Sequence, residues 1–218
     1  MNKKIWFLVI LLALLLTGIC AKILIGKKET PRLNKENINS ENEVILGKEA
    51  PQLPEMQIDT SKTYRAILST SEGEITISLH AKQTPITANN FVHLARQGFY
   101  DQTIFHRIIK GFMIQGGDPQ GNGSGGPGYK FNDEPFEGEY KRGVVAMANS
   151  GPNTNGSQFF IMHQDYPLPQ NYVIFGEVAE GLEVVDKIAE APVTQSATGE
   201  SSTPVRPVTV ESVEILVE

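Results

Sequence analysis

The chain has 218 residues, a formal net charge of -6, 20 glycines, 13 prolines and a single cysteine. That length suits one good-sized domain with an appendage, or two small domains. One cysteine excludes an intrachain disulfide and a cysteine metal cluster, the Gly and Pro content disfavours a helical bundle, and the acidic balance beyond residue 60 leaves no basic face for nucleic acid.

Residues 1–28, MNKKIWFLVILLALLLTGICAKILIGKK, start basic at Lys3 and Lys4, run apolar from Ile5 to Leu16, and continue more softly past Lys22 to Ile25. Nothing amphipathic relieves the run, so it reads as an export or membrane signal rather than a core helix. Its simplest fate is an uncleaved single-pass anchor holding the chain to the cell membrane through residues 5–25. The alternatives are cleavage and secretion, with Gly18-Ile19-Cys20 a passable site, or lipid attachment at Cys20, where Ile19 is bulkier than the small residue a lipoprotein signal takes. Lys22, Lys27 and Lys28 follow the run, so loop charge alone is compatible with a cytoplasmic domain. The short basic start leading directly into an apolar run favours the extracytoplasmic side. Residues 29–60 are polar, rich in Asn and Glu and broken by Pro31, Pro51 and Pro54, which predicts a flexible tether.

The domain is expected over residues 61–218. YRAILST and ITISLH alternate and predict a hairpin turning near Glu72-Gly73. In TPITANNFVHLARQGFY, Thr84 is the expected N-cap, Pro85 the first helical residue, Ala88, Phe91, Val92 and Ala95 an apolar stripe, and Gly98 the stop. Strands are expected at 104–109, 112–115, 143–147, 157–162 and 172–176, with a helix at 182–190 and a closing run at 205–217. Residues 118–131, DPQGNGSGGPGYKF, read as a surface loop, because a phosphate cradle would end in GKS or GKT. Many short antiparallel strands with two helices suggest a closed barrel with helical caps.

Chemistry concentrates in FHRIIKGFMIQGG, residues 105–117. Read with period two, Phe105, Arg107 and Ile109 share one face, so a cation stands among hydrophobes. Ser150, Ser157, His106 and His163 offer no GxSxG and no third group for nucleophilic catalysis. Asp133-Glu134 reads as a pair of solvated loop acids, and His93 has no partner at metal-ligand spacing. What is left is a surface of Arg107, Gln115, Asn149 and Gln158 with Phe112, Met113 and Phe160, suited to an extended peptide: an apolar pocket for one side chain and amides for the backbone.

FHRIIKGFMIQGGDPQGNGSGG followed by MANSGPNTNGSQFFI resembles the signature of the cyclophilin-type peptidyl-prolyl cis-trans isomerases, and the likeness covers about residues 62–218. The resemblance implies a mainly β fold, a closed eight-stranded antiparallel barrel capped by two helices with its active face on the outside. It assigns catalysis to Arg107, the proline pocket to Phe112, Met113, Phe160 and Leu168, and the peptide groove to Gln115, Ala148, Asn149 and Gln158. DYPLPQNY lacks the tryptophan associated in the family with cyclosporin binding, and the only tryptophan is Trp6. Tyr172 stands where the family has a site histidine, a phenol that can keep a polar contact in place of an imidazole. Both departures resemble bacterial members. The expected partners are proline-containing segments of unfolded or folding proteins. The expected chain is a monomer, needs no cofactor or metal, binds no nucleic acid and assists the folding of exported or cell-surface proteins.

Overall fold

The computed structural model describes residues 51–218, so the apolar segment 1–28 and the tether up to residue 50 lie outside it. Among the described residues no helix is long and apolar enough to cross a membrane.

Strict alternation builds the first hairpin. Strand β1 (Tyr64–Thr70) points Tyr64, Ala66 and Leu68 inward, and β2 (Gly73–Leu79) points Ile75, Ile77 and Leu79 inward. Thr70 pairs with Gly73, leaving Ser71 and Glu72 at the tip, where the Thr70 hydroxyl donates to the Gly73 carbonyl at 2.6 Å. Helix α1 (Pro85–Arg96) follows, then β3 (Thr103–Ile104), β4 (Arg107–Ile109), β5 (Met113–Gly116), β6 (Val144–Met147), β7 (Phe159–Met162) and β8 (Ile174–Glu180). Helix α2 (Leu182–Ala189), β9 (Val193–Gln195), β10 (Ser201–Pro204) and β11 (Thr209–Val217) complete the chain.

The strands form a nine-stranded antiparallel sheet in the order β3-β11-β1-β2-β8-β6-β7-β5-β4, with β9 and β10 as a separate pair. Against the expected eight strands, the described residues place nine in this sheet, and among them no ladder joins its two ends. Those ends are consecutive in the chain: only Phe105 and His106 separate β3, paired to β11, from β4, paired to β5. An isolated bridge between Ile104 and Asp118 also links the end of β3 to the chain after β5.

That change of partner overturns the expected single strand at 104–109. Phe105 does not share a face with Arg107: it is fully buried in the main core, and so is Ile108, whereas Arg107 and Ile109 are partly exposed. Period two holds only within one ladder, and the chain leaves one ladder for another at His106.

Helix α1 buries the expected stripe of Ala88, Phe91, Val92 and Ala95. Phe91 lies 4.9 Å from Tyr100, 5.6 Å from Phe159 and 5.3 Å from Phe175, ring centre to ring centre. A buried aromatic of this kind contributes about 2 to 3 kcal/mol by area alone. The expected cap is corrected: Thr84 makes no side-chain cap bond, and its hydroxyl donates instead toward the His80 and Ile174 carbonyls.

Residues 51–60, assigned to the tether from sequence, lie against α1. Ile58 is 6% exposed within the main core, the Gln57 amide donates to Asn89 Oδ1 at 2.7 Å, and Asn89 Nδ2 donates to the Glu55 carbonyl at 3.0 Å.

Candidate active site

Strands β5, β6 and β7 have two apolar sides. In β7, Phe159 and Ile161 face the main core, while Phe160 and Met162 enter a second, smaller cluster with Met113, Tyr140, Ala146 and Ile174. Phe112, Ala148, Leu168 and Tyr172 pack on this cluster from outside and remain partly exposed. Of the expected pocket residues, Met113 and Phe160 are therefore its buried floor, and Phe112 and Leu168 its open rim. Tyr166, missed by sequence reasoning, lies 4.5 Å from Phe112, ring centre to ring centre, and is 46% exposed.

Register carries Arg107 to this cluster, since β4 and β5 pair Arg107 with Gln115 and Ile109 with Met113. One terminal nitrogen of the guanidinium donates to Gln115 Oε1 at 3.3 Å and lies 3.9 Å from Met113 Sδ. The guanidinium carbon sits 5.9 Å from the Phe112 ring centre, within cation–π range. The other edge, which sequence reasoning did not foresee, is taken by Glu200: Arg107 Nε donates to one carboxylate oxygen at 2.7 Å and the second terminal nitrogen donates to the other at 2.8 Å. The Arg107 hydrogen bonds draw the Glu200 carboxyl down from 4.5 to about 2, against burial, and Ser202 adds to the effect. Glu200 thus stays ionised far into acid.

Amides continue the network away from Arg107. Gln115 Nε2 donates to Gln158 Oε1 at 3.0 Å, and Gln158 Nε2 donates to the Gly123 and Gly125 carbonyls at 3.0 and 2.9 Å. Each amide is oriented by the bonds on either side. The glycine loop they reach is wound around Asp118, which is fully buried and accepts from the Gln120, Asn122 and Gly123 amides at 2.7, 3.1 and 2.6 Å. Burial opposes ionisation there, but four backbone amides, those of Gln120, Gly125, Gly123 and Asn122, hold the carboxyl below its ordinary value. At Gly125 an added Cβ would run into Asp118 Oδ1, so the tight wrap requires glycine at that position.

A groove of about 830 Å³ opens beside this network, lined in part by Gln115, Gln120, Ser124, Ala148, Asn149 and Gln158. A neighbouring hollow of about 610 Å³ is lined in part by Phe136, Asn149 and Tyr172. Asn149 borders both, its side chain donating to the Asn171 carbonyl at 2.8 Å and accepting from the Gly151 amide at 3.2 Å. Tyr172 turns its ring edge-on to Phe160 at 5.6 Å, and its backbone is held by the Tyr140 hydroxyl. The expected residues therefore converge on one surface: a partly exposed cation at one end, an apolar cluster with a partly exposed rim beside it and a polar groove beyond. Such a surface can hold an extended backbone while one ring is buried.

His163 acts behind the surface. Its Nδ1 accepts from the Gly111 amide at 2.9 Å, and Nε2 faces the Asp186 carboxylate at 3.3 Å, which fixes the tautomer with hydrogen on Nε2. Its backbone amide donates to the Phe112 carbonyl at 2.8 Å, so the β4–β5 turn is held at both Gly111 and Phe112.

Residues 65–215 match the family model described as "Cyclophilin type peptidyl-prolyl cis-trans isomerase/CLD". The Arabidopsis thaliana protein named peptidyl-prolyl cis-trans isomerase CYP18-1 is 53% identical over 125 residues, covering 55% of this chain and 78% of its own length. A Cryptococcus neoformans protein, peptidyl-prolyl cis-trans isomerase-like 2, is 44% identical over 164 residues, covering 72% of this chain, which spans only 28% of that protein. The crystal structure of a Cryptosporidium parvum cyclophilin-type isomerase, determined in the presence of the dipeptide Ala-Pro, superimposes with a TM-score of 0.65 at 38% identity. It covers 70% of this chain and 98% of its own.

Proposed function

The chain belongs to the cyclophilin-type peptidyl-prolyl cis-trans isomerase family, and from that premise we propose that it accelerates rotation about X-Pro peptide bonds in proteins that are folding outside the cytoplasm. The observation that carries the reading is the juxtaposition of the Arg107 guanidinium with buried Met113 and partly exposed Phe112, a hydrogen-bond donor beside the apolar cluster that also holds Phe160.

Rotation about X-Pro is slow because amide resonance sets a barrier of about 18 to 20 kcal/mol. No bond need break, so the protein has only to favour the twisted amide. The Phe112, Met113, Phe160 and Leu168 surface fixes the proline ring, while Gln115, Gln158, Ala148 and Asn149 hold the flanking backbone. Arg107 donates to the carbonyl that follows the proline ring, outside the rotating amide, and its positive charge turned toward the proline nitrogen favours the pyramidal form with a localised lone pair, which weakens the resonance. Each 1.4 kcal/mol gained only in the twisted state is about tenfold in rate.

The test is the cis-to-trans rate of an Ala-Pro test peptide with the full-length chain, wild type beside Arg107→Ala. Catalysis that falls about a hundredfold or more in the variant, with peptide affinity little changed, supports the assignment. Wild-type binding without acceleration overturns it in favour of a peptide-binding module. The apolar run of residues 5–25 supports placement on the extracytoplasmic side of a bacterial cell membrane, with secretion or lipid attachment at Cys20 as alternatives. Protease digestion of intact cells tests that placement: protection of the domain until the membrane is broken would put it inside.

A further inference from the structure

We infer that Glu200 is a positioning residue for Arg107: it grips one edge of the guanidinium so that the opposite end stays turned toward the proline pocket. The inference rests on the isomerase reading and adds to it a residue 93 positions away in the chain.

Arginine has five N–H groups in a rigid plane. The Glu200 carboxylate engages two of them side-on, one from Nε and one from a terminal nitrogen, at 2.7 and 2.8 Å. The other terminal nitrogen is the one that reaches Gln115 and lies beside Met113, the pocket floor. The carboxylate therefore sits on the edge away from the pocket, and the tip facing the pocket keeps donors for a substrate carbonyl. A long arginine side chain on a three-residue strand has several rotatable bonds. A bidentate partner removes that freedom before substrate arrives, and orientation achieved in advance lowers a barrier rather than merely tightening binding.

The partner is itself well held. Glu200 immediately precedes β10, which lies alongside β4, the strand that carries Arg107. Its backbone closes the β9–β10 turn: the Glu200 amide donates to Ser196 Oγ at 3.2 Å, and the Ser196 amide donates to the Glu200 carbonyl at 2.7 Å. The Arg107 and Glu200 side chains are 34% and 38% exposed, so substrate can reach the pair and the pair is not an internal strut of the fold.

The experiment measures kcat and KM for the Ala-Pro peptide with the full-length wild type, Glu200→Gln and Glu200→Ala, together with the Nε–Hε NMR signal of Arg107 and a melting curve. The expected result is a kcat lower by about three- to fivefold in both variants, the scale of an exposed ion pair, with KM moved less than about twofold. The Arg107 Nε–Hε signal should lose its protection from exchange in both, and melting should barely shift. A kcat that stays at the wild-type value overturns the inference. A raised kcat/KM also overturns it, because Glu200 would then compete with substrate for the guanidinium. The isomerase reading is judged separately by the wild-type rate against the uncatalysed one, and its failure would remove the role assigned to Glu200.

Discussion

Glu134 closes the amino end of α1 from 48 residues further along the chain, one carboxylate oxygen accepting from the Ile86 amide and the other from the Thr87 amide, both at 2.9 Å. The Thr87 hydroxyl donates to the second oxygen as well, also at 2.9 Å. A helix has unpaired N–H groups and a partial positive charge at this end, so a buried carboxylate satisfies two donors and the dipole together. It does the work that local sequence assigns to Thr84.

Glu134→Ala should therefore cost about 1 to 3 kcal/mol in stability by leaving buried amides without an acceptor. Urea denaturation of the variant is the check, and an unshifted midpoint would count against the cap. Thr84→Ala, by the same logic, should cost less than Glu134→Ala.

Asp118→Ala should loosen the glycine loop, since the Gln120, Asn122 and Gly123 amides lose their common acceptor. The loss passes to Gln158, whose amide is oriented by the Gly123 and Gly125 carbonyls. The expected outcome is weaker peptide binding by about tenfold, with kcat less affected, measured by titration with a proline-containing peptide.

His106 gives a pH dependence of definite sign. Burial, the largest influence, lowers its pKa beneath 6.5, with Asp118 opposing and Arg107 assisting, and among the described residues neither ring nitrogen has a hydrogen-bond partner. The unfolded chain then binds a proton more readily than the folded one, so stability is lost as pH falls from 6.5 toward the lower folded value. His106→Leu should shrink the stability difference between about pH 5 and pH 8 relative to wild type. An equal pH dependence in the two proteins would contradict this.

His163→Leu removes the acceptor for the Gly111 amide and the donor to Asp186. Because the same residue stands behind Phe112, KM for the peptide should rise several-fold alongside a stability loss of about 1 to 3 kcal/mol. Steady-state kinetics with a melting curve separates the two effects.

Much of this was legible in the sequence because it is periodic or local. β1, β2, the α1 stripe and the convergence of Arg107, Gln115, Gln158, Phe112, Met113 and Phe160 follow from alternation, helical spacing and the two motifs. Other features are decided by distant partners. Asp133 and Glu134 look like solvated loop acids, yet Asp133 accepts from the Asn153 amide at 2.9 Å and from Asn155 Nδ2 at 2.8 Å, and Glu134 caps a helix. Glu200 lies in a stretch of Ser, Thr and Gly that carries no motif, and only the fold brings it to Arg107. Phe105 faces the core, opposite to what alternation implies, because the exchange of ladders at His106 leaves no mark in the local pattern. Ile58, in a proline-broken stretch whose Leu53 and Met56 stay exposed, gives no hint of burial until α1 lies beside it.

The two ends of the main sheet are a two-residue strand and a three-residue strand, joined through Phe105 and His106. A long bare strand would offer its unpaired amides and carbonyls as a template to any extended polypeptide nearby. A protein proposed to spend its working life among unfinished chains is exposed to that hazard continuously. The two terminal strands give such chains little to extend, with β10 flanking one of them, so the longer open margin is the outer edge of β11 beyond Val210, where Asp101 accepts from the Val213 amide.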